Sequence, residues 1–506
     1  MRYLEEIELR TLLSVSLGSD GWTSFGKSSD THVIYVSSSS GKDSNNGLSQ
    51  NSPVKTLGKA RSLMRDGSPD WMLLKRGDTF TGGFGPWKTS GRSASEMQVI
   101  GTYGSGNRPF IKSGVYEGFV TFGGSGHAIN NVAITGLQFI ADTYTGKNGG
   151  FGTTGIRLTR QGSNWLIEDC RIEGYKDNIT LNGDGSGING LKIRRCEILG
   201  AYCASSNVGN GHAQGIYLAS GTKNVTIEQN VIDHNGWKEG VSGAGATMFN
   251  HDIYVNSGVS GTVIKDNVIS RASLCGITIR SGGTIQNNLI LRSPVGVKAQ
   301  STSNVSITGN VILDGTDLAG TSGGATGIDV ASVSSLTISN NIIAHEQSSA
   351  KYHVTGIRIG GGVKTATISG NVIYKWQQLI NLASGLSSIT VKNNQLQNTD
   401  TVAPLIAQVG GANTSQYHYS GNIYGTPRKG VNSLNNSDKT FSAWVSATKE
   451  TGAKAQTLKY LDPNRDVSSS FTTWIGGARS QSKASWSSTF AATSLVKYIR
   501  DGFAVV

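Results

Sequence analysis

Proline is scarce, at 8 of 506 residues, and charged side chains make up only 15%, against the ~25% of an ordinary soluble domain. Glycine is plentiful instead, at 68 residues, yet Gly and Pro together stay below the roughly 25–30% that marks low-complexity disorder. With 37% apolar residues to fill a core, a disordered chain is excluded. Cysteine is rare as well. Four in the whole chain exclude a disulfide scaffold, and neither CxxC nor HExxH occurs to signal zinc. No apolar run approaches the ~20 residues of a membrane-spanning helix. The net charge of +12 favours anionic partners. The basic residues are scattered, without Lys/Arg runs or aromatic interleaving, so a nucleic-acid footprint has little support and an acidic polymer fits the charge equally well.

What is present is a repeat. From Asn131 to about Gly425 one phrase recurs: a short alternating strand, a turn ending in Asn, two apolar residues, a variable loop, then Gly and Ile-x-Leu. It reads NVTIEQNVI at 224–232, NVSITGNVI at 304–312 and ATISGNVI at 366–373. The third segment opens at Ile156, Ile179, Ile216, Ile253, Ile277, Val297, Ile328, Ile357 and Ile380, with a weaker unit at Ile406. The alternation has period two and is rich in Ile, Val and Thr, which excludes a helical solenoid and predicts three strands per coil. Stacked in register, such coils make an all-β, right-handed parallel β-helix with ~4.8 Å between coils.

The turn residue before the apolar pair is Asn230, Asn267, Asn288, Asn310, Asn341, Asn371, Asn394 and Asn422 in successive coils. Such a column predicts a structural ladder, each amide bonding the next coil and tolerating left-handed backbone at the turn. Cys170 and Cys196 occupy the same slot in the two preceding coils, either as buried thiols or as a disulfide. Residues 1–32 read as an N-terminal extension, 33–121 as a cap and first coils, 122–425 as the β-helix, and 426–506 as a C-terminal cap region. Ser52-Pro53 opens an amphipathic helix bearing Val54, Leu57, Ala60 and Leu63 on one face, and a last helix over 494–502 is expected to close the far end. The first residues lack the apolar core of a secretory signal, and 4–14 resemble the LEPR-x-LL leader of some large exported bacterial proteins.

The segment IYVSSSSGKDSNNGLSQNSPVKTLGKA, followed by Asn-laddered coils, resembles the right-handed parallel β-helix proteins of the pectate-lyase-like superfamily over about residues 33–425. That superfamily includes polysaccharide lyases, uronate epimerases and some glycoside hydrolases. The resemblance implies an extracellular or cell-surface protein acting on a polysaccharide, with its site on the outer face of the Ile-x-Leu strand. The Gly-His-Gly and Arg-Ile-Lys motifs of polygalacturonases and the Asp-Pro-His of alginate epimerases are missing. No cofactor is indicated. Calcium, which some members bind, has no acidic cluster calling for it, since Asp252 stands alone.

With the first and third residues of Ile-x-Leu inside, the residue before, the middle residue and the one after are expected outside. Loops of 7 and 5 residues precede the strands at Ile277 and Val297, between loops of 20 and 14 residues. This predicts a saddle floored by Thr278, Arg280, Lys298 and Gln300. On it and its rim gather His251, Asp252, Tyr254 and Asn256, with His212, Gln214 and Tyr217 one coil away and Asp329 and Arg358 beyond. Elimination from a uronate polymer needs a cation for the carboxylate, a base and an acid. Arg280 is expected to neutralise, Lys298 to act as base, and Tyr254 or His251 as acid. Tyr217, His212, Asp252, Asn256, Gln300, Asp329 and Arg358 are expected to bind substrate. Hydrolysis would need two carboxyls roughly 5–9.5 Å apart, whereas Asp252 and Asp329 are three coils, ~14 Å, apart. The reading is therefore a lyase or epimerase on an anionic polysaccharide. The alternatives are a glycoside hydrolase, or a non-catalytic adhesive or filament-forming β-helix in which exposed coil edges self-associate.

Overall fold

The computed structural model describes residues 15–506 apart from 123–126, 150–152, 182–186, 205–210, 317, 319–324, 346–353, 411–412, 414 and 468–470. The leader-like residues 4–14 lie outside the described residues.

The chain winds into a parallel β-helix of three-stranded coils. One coil is Lys223–Glu228, Val231–Asp233 and His251–Val255, and the next coil repeats it as Thr262–Lys265, Val268–Ser270 and Cys275–Ile279. We call the three faces first, second and third in that order. The third face stacks Ile156, Ile179, Ile216, Ile253, Ile277, Val297, Ile328, Ile357, Ile380 and Ile406 as direct register partners. All ten are fully buried. Coil lengths vary only in the loops, so the inward residues stay aligned whatever is inserted between them.

The Asn ladder runs down the corner between the first and second faces. Asn310 donates Nδ2–H to the Ile285 carbonyl at 2.9 Å and to Asn341 Oδ1 at 3.0 Å. Its own Oδ1 accepts from the backbone N–H and the side chain of Asn288, each at 2.9 Å. The pattern repeats from Asn230 to Asn422, and there Glu450 takes the next place, accepting from the backbone and side chain of Asn422. The left-handed backbone falls on the residue before each Asn, at Gln229, Asp266, Asn287, Asn340 and Asn393 with φ of 53–57°, and on glycine at Gly309, Gly370 and Gly421. The ladder Asn is therefore freed to turn its amide inward. Cys170 and Cys196 hold the slot as free thiols, their Sγ on the carbonyls of Ile134 and Ile167 as Asn230 Nδ2 is on that of Ile193.

The ends and flanks leave one face bare. Helix Leu57–Ser62, capped by the Thr56 hydroxyl, buries Leu57 and Ala60 against the first coils. At the far end the closing helix is Phe441–Thr448, not the last one. Its Trp444 is fully buried, edge-on to Tyr419 and bonded through Nε1 to Glu450. The last helix, Ala492–Gly502, lies along the second face, its Leu495, Val496 and Ile499 on Leu289, Leu291, Val311 and Leu313. The physical reason is that second-face strands are apolar on both sides and their outward Val and Leu need covering. On the first face, Thr23 donates to Glu168, and Arg195 lies between Trp22 and Trp486. Among the described residues no helix is long and apolar enough to cross a membrane.

Candidate functional site

A cavity of about 630 Å³ opens on the third face. Its floor is four strands, Asp177–Leu181, Gln214–Leu218, His251–Val255 and Cys275–Ile279, plus the start of Val295–Thr308. Thr180, Tyr217, Tyr254, Thr278 and Lys298 are successive register partners and all line it. Because the strands are held by ladders on both sides, these side chains start from a rigid base. The residues after each Leu position, Asn256, Arg280 and Gln300, form the second line.

Loop 233–252 builds one wall. It is pinned where Asn250 bonds Ala213 N at 2.9 Å and the Gly236 carbonyl at 2.7 Å, and where Trp237 donates to the Arg271 carbonyl at 2.8 Å. It carries Met248 and Phe249 to the rim, half-exposed, with Phe249 stacked on His212 at 5.3 Å. Neither aromatic nor thioether was expected at the site, since both come from an insertion whose path has no periodicity to read.

Aromatic rings form a continuous layer. Tyr217 stacks on Tyr254 at 5.6 Å, and His251 stacks on the same tyrosine at 5.2 Å. Asn256 Nδ2 donates to the Tyr217 hydroxyl at 3.1 Å, and Arg280 Nη1 to the Tyr254 hydroxyl at 3.2 Å. Arg280 Nε is buried and has no partner among the described residues. His251 Nδ1 is 3.4 Å from the Thr278 hydroxyl. Burial, reinforced by Lys298 and by the neighbouring His212, pushes the His251 imidazole down to about 3. His212 is also lowered, by burial and by Lys176. Burial raises the Tyr217 phenol. Lys298 Nζ is 3.8 Å from Asp329, whose carboxylate also takes a two-point bond from Arg358 at 2.8 and 3.0 Å. Asp329 and Arg358 do not line the cavity; they stand behind Lys298.

Asp252 is not on the floor. It is fully buried, its Oδ1 accepting from Asn235 Nδ2 at 2.8 Å and from Asn235 N at 3.2 Å, while Oδ2 has no partner among the described residues. Burial, reinforced by nearby Asp233, holds its carboxyl well above the usual carboxylate range. The alternation breaks here because the chain bends into the strand at the residue before Ile. In six coils that residue is Gly155, Gly215, Gly276, Gly296, Gly327 or Gly356. A Cβ there would meet core isoleucines, for instance Ile172 Cγ2 at 2.2 Å from Gly155 and Ile343 Cγ2 at 2.6 Å from Gly327. The position points inward, and the one before it points out. Asp177, Gln214 and His251 share that outward column as register partners. Lys176 and Asp177 enter the site by this route, joined at 3.0 Å, with Asp177 also bonded to Gln214 N at 2.9 Å. The run of Gly-Ile pairs carried this information in the sequence.

Among the described residues the cavity lining has three cations, Lys176, Arg280 and Lys298, and one carboxylate, Asp177. No group of three or more His, Cys, Asp or Glu among them is placed to hold a metal ion.

The family model for a right handed beta helix region matches residues 245–396, which gives the coils their hand. No curated protein matches the sequence. Similar solved structures include the GH136 lacto-N-biosidase from Eubacterium ramulus, at 15% identity and a TM-score of 0.43, covering 78% of this chain and 68% of that one. An alginate lyase from Paenibacillus sp. has 16% identity and a TM-score of 0.36, covering 61% and 95%. The surface adhesin PfbA of Streptococcus pneumoniae has 15% identity and a TM-score of 0.45, covering 67% and 85%. At these levels the likeness carries no assignment of reaction or ligand.

Proposed function

We propose that the protein is an extracellular polysaccharide lyase that cleaves a uronate-type polymer by β-elimination in the third-face cavity. The observation that carries the reading is the lining: three cations and a neutral imidazole beside a phenol, with one carboxylate already tied to Lys176. A hydrolase would need a second carboxyl within reach, and the described lining supplies none.

Arg280 and Lys298, with Asn256 and Gln300, suit the uronate carboxylate, whose negative charge grows as the α proton leaves. Lys298 fits this role better than that of base, because its ammonium is paired with Asp329. His251 is the base: its ring is neutral, and in the tautomer that gives Nδ1–H to the Thr278 hydroxyl the Nε2 lone pair is left for substrate. A bound carboxylate beside the ring adds negative charge and raises the proton affinity that burial has lowered. Tyr254 is the acid. Its oxygen accepts from Arg280, so its own O–H is free to protonate the leaving oxygen. In the step, His251 takes the α proton, that bonding pair becomes the new double bond, and the β C–O pair leaves on the oxygen protonated by Tyr254. The proton then passes from His251 back to Tyr254 through solvent.

Incubation with pectate, alginate and neutral glycans, read by ultraviolet absorbance of the conjugated double bond and by reducing ends, tests this. Absorbance with an anionic polymer is expected, and Lys298→Ala and Arg280→Ala each lower turnover by ~10²-fold or more. Reducing ends without absorbance would indicate hydrolysis. Retained cleavage in both variants would remove the assignment at this site. Epimerisation, which shares the first step, would change sugar stereochemistry with neither signal.

A further inference from the structure

The two long sides of the third-face cavity differ in chemistry. Met248, Phe249 and Leu274 are its apolar members among the described residues, and all three come from the chain just before the floor strands His251–Val255 and Cys275–Ile279. Asn256 and Arg280 come from the chain just after the same two strands. Each strand is five residues, ~17 Å, long, and side chains reach over the floor from both ends. One side is therefore apolar and the other polar and cationic.

The apolar side is held in place although it faces out. Met248 is 52% and Phe249 56% exposed, and Leu274 is half-buried. The backbone under them is bonded on every side: Gln214 Nε2 donates to the Phe249 carbonyl at 2.9 Å, Thr247 N donates to Ser273 Oγ at 2.7 Å, Ser273 Oγ donates to the Thr247 carbonyl at 3.0 Å, and Leu274 N donates to the Asn250 carbonyl at 3.1 Å. One face of Phe249 is stacked on His212. Three adjoining apolar side chains on a pinned rim, opposite an arginine, mark a contact surface for a small apolar group of the ligand. A flat sugar face is already offered a flat partner by Tyr217 and Tyr254 on the floor. A thioether and an isobutyl group are not flat, and they adapt to a methyl.

We infer that the substrate is O-acetylated: the cavity takes a uronate whose O2 or O3 carries an acetyl group, with the carboxylate toward Arg280 and Lys298 and the acetyl methyl against Met248, Phe249 and Leu274. This rests on the uronate-binding part of the lyase reading. The chemistry of the sugar supplies the geometry. In a pyranose, C2 and C3 lie across the ring from C5, which bears the carboxylate, so a ring gripped by its acid group turns its 2- and 3-substituents to the opposite side. A free hydroxyl there would give up water against apolar side chains that offer it no hydrogen bond. An acetyl group buries its methyl instead.

The test titrates the parent and Met248→Ser/Leu274→Ser calorimetrically with one size-defined uronate oligomer in two forms, bearing 2- and 3-O-acetyl groups and after their enzymatic removal, and follows ultraviolet absorbance on both. The parent is expected to bind the acetylated form about fourfold more tightly, and the double variant to bind both forms alike. If the double variant fails to fold, Met248→Ser alone, at an exposed position, should lower the preference to about twofold. Equal or weaker binding of the acetylated form by the parent would overturn the inference, and a new double bond from either form would leave the elimination standing. A variant weakened toward both forms by the same factor would mean that the wall meets the sugar ring, and would overturn the inference too. A preference that the variant loses, with no new double bond from either form, supports the acetyl contact and overturns the elimination. Binding of neither form overturns both.

Discussion

Replacing Asn310 by Ala tests the ladder where its geometry is most complete. Asn310 is fully buried and makes four close contacts: it donates to Ile285 O and Asn341 Oδ1 and accepts from Asn288 N and Nδ2. Alanine removes all of them and fills only part of the space. Asn288 loses the acceptor for its backbone N–H and for one side-chain hydrogen, and Ile285 loses a donor. Asn341 Oδ1 keeps the Asn310 backbone N–H at 2.9 Å, so that oxygen is not orphaned. Two to three buried groups left unpaired, at about 1–3 kcal/mol each, give a loss of roughly 3–5 kcal/mol once some relaxation is allowed. Asn310→Asp should also destabilise, since a carboxyl keeps the acceptor for Asn288 but faces Asn341 Oδ1 with an oxygen. The measurement is urea unfolding by circular dichroism together with hydrogen exchange at the amides of coils 285–312, because stacked coils can open locally. A loss below about 1 kcal/mol, with unchanged exchange at Asn288, would refute the view that the ladder holds the stack.

Asp252 carries a raised pKa, so the folded state binds a proton that the unfolded state has lost above about pH 4, and stability falls as pH rises from there toward the folded pKa. Asp252→Asn should therefore gain stability relative to the parent as pH rises above about 4, with the gain vanishing near pH 4; a variant less stable than the parent at pH 8 would contradict this. His251 has the opposite linkage: with its folded value lowered to about 3, stability falls as pH drops below the unfolded value, by up to about 1.4 kcal/mol per unit. His251→Asn should flatten the loss of stability between pH 6 and pH 4, and identical slopes would mean the ring is not buried neutral. Tyr254→Phe should cut turnover on an anionic polymer by ~10²–10⁴ while the unfolding midpoint stays put, since among the described residues the hydroxyl bonds only Arg280, at a half-exposed position.

The repeat dictated the architecture on its own. An Ile column with a recurring Asn turn has one economical packing, so the register, the ladder and the third-face order of Thr180, Tyr217, Tyr254, Thr278 and Lys298 were all legible. Loop lengths pointed to a dip at Thr278, Arg280, Lys298 and Gln300, whereas the cavity extends from these residues back to Thr180 and takes its wall from the long loop 233–252. What alternation could not convey was the bend before each Ile. There the Gly column marks a crowded corner, so Asp252 turned inward to Asn235 while His251 and Asp177 faced out. Nor could local pattern say which helix closes the stack. Trp444 caps it because Glu450 ends the ladder beside it, whereas the last helix is drawn to the apolar outer side of the second face. The charge pairing of Lys298 with Asp329, and of Asp329 with Arg358, likewise arises only when coils far apart in sequence stack ~4.8 Å apart. Residue type and spacing set the coil; contacts between coils, which no single repeat contains, set which side chains face the cavity and what holds them there.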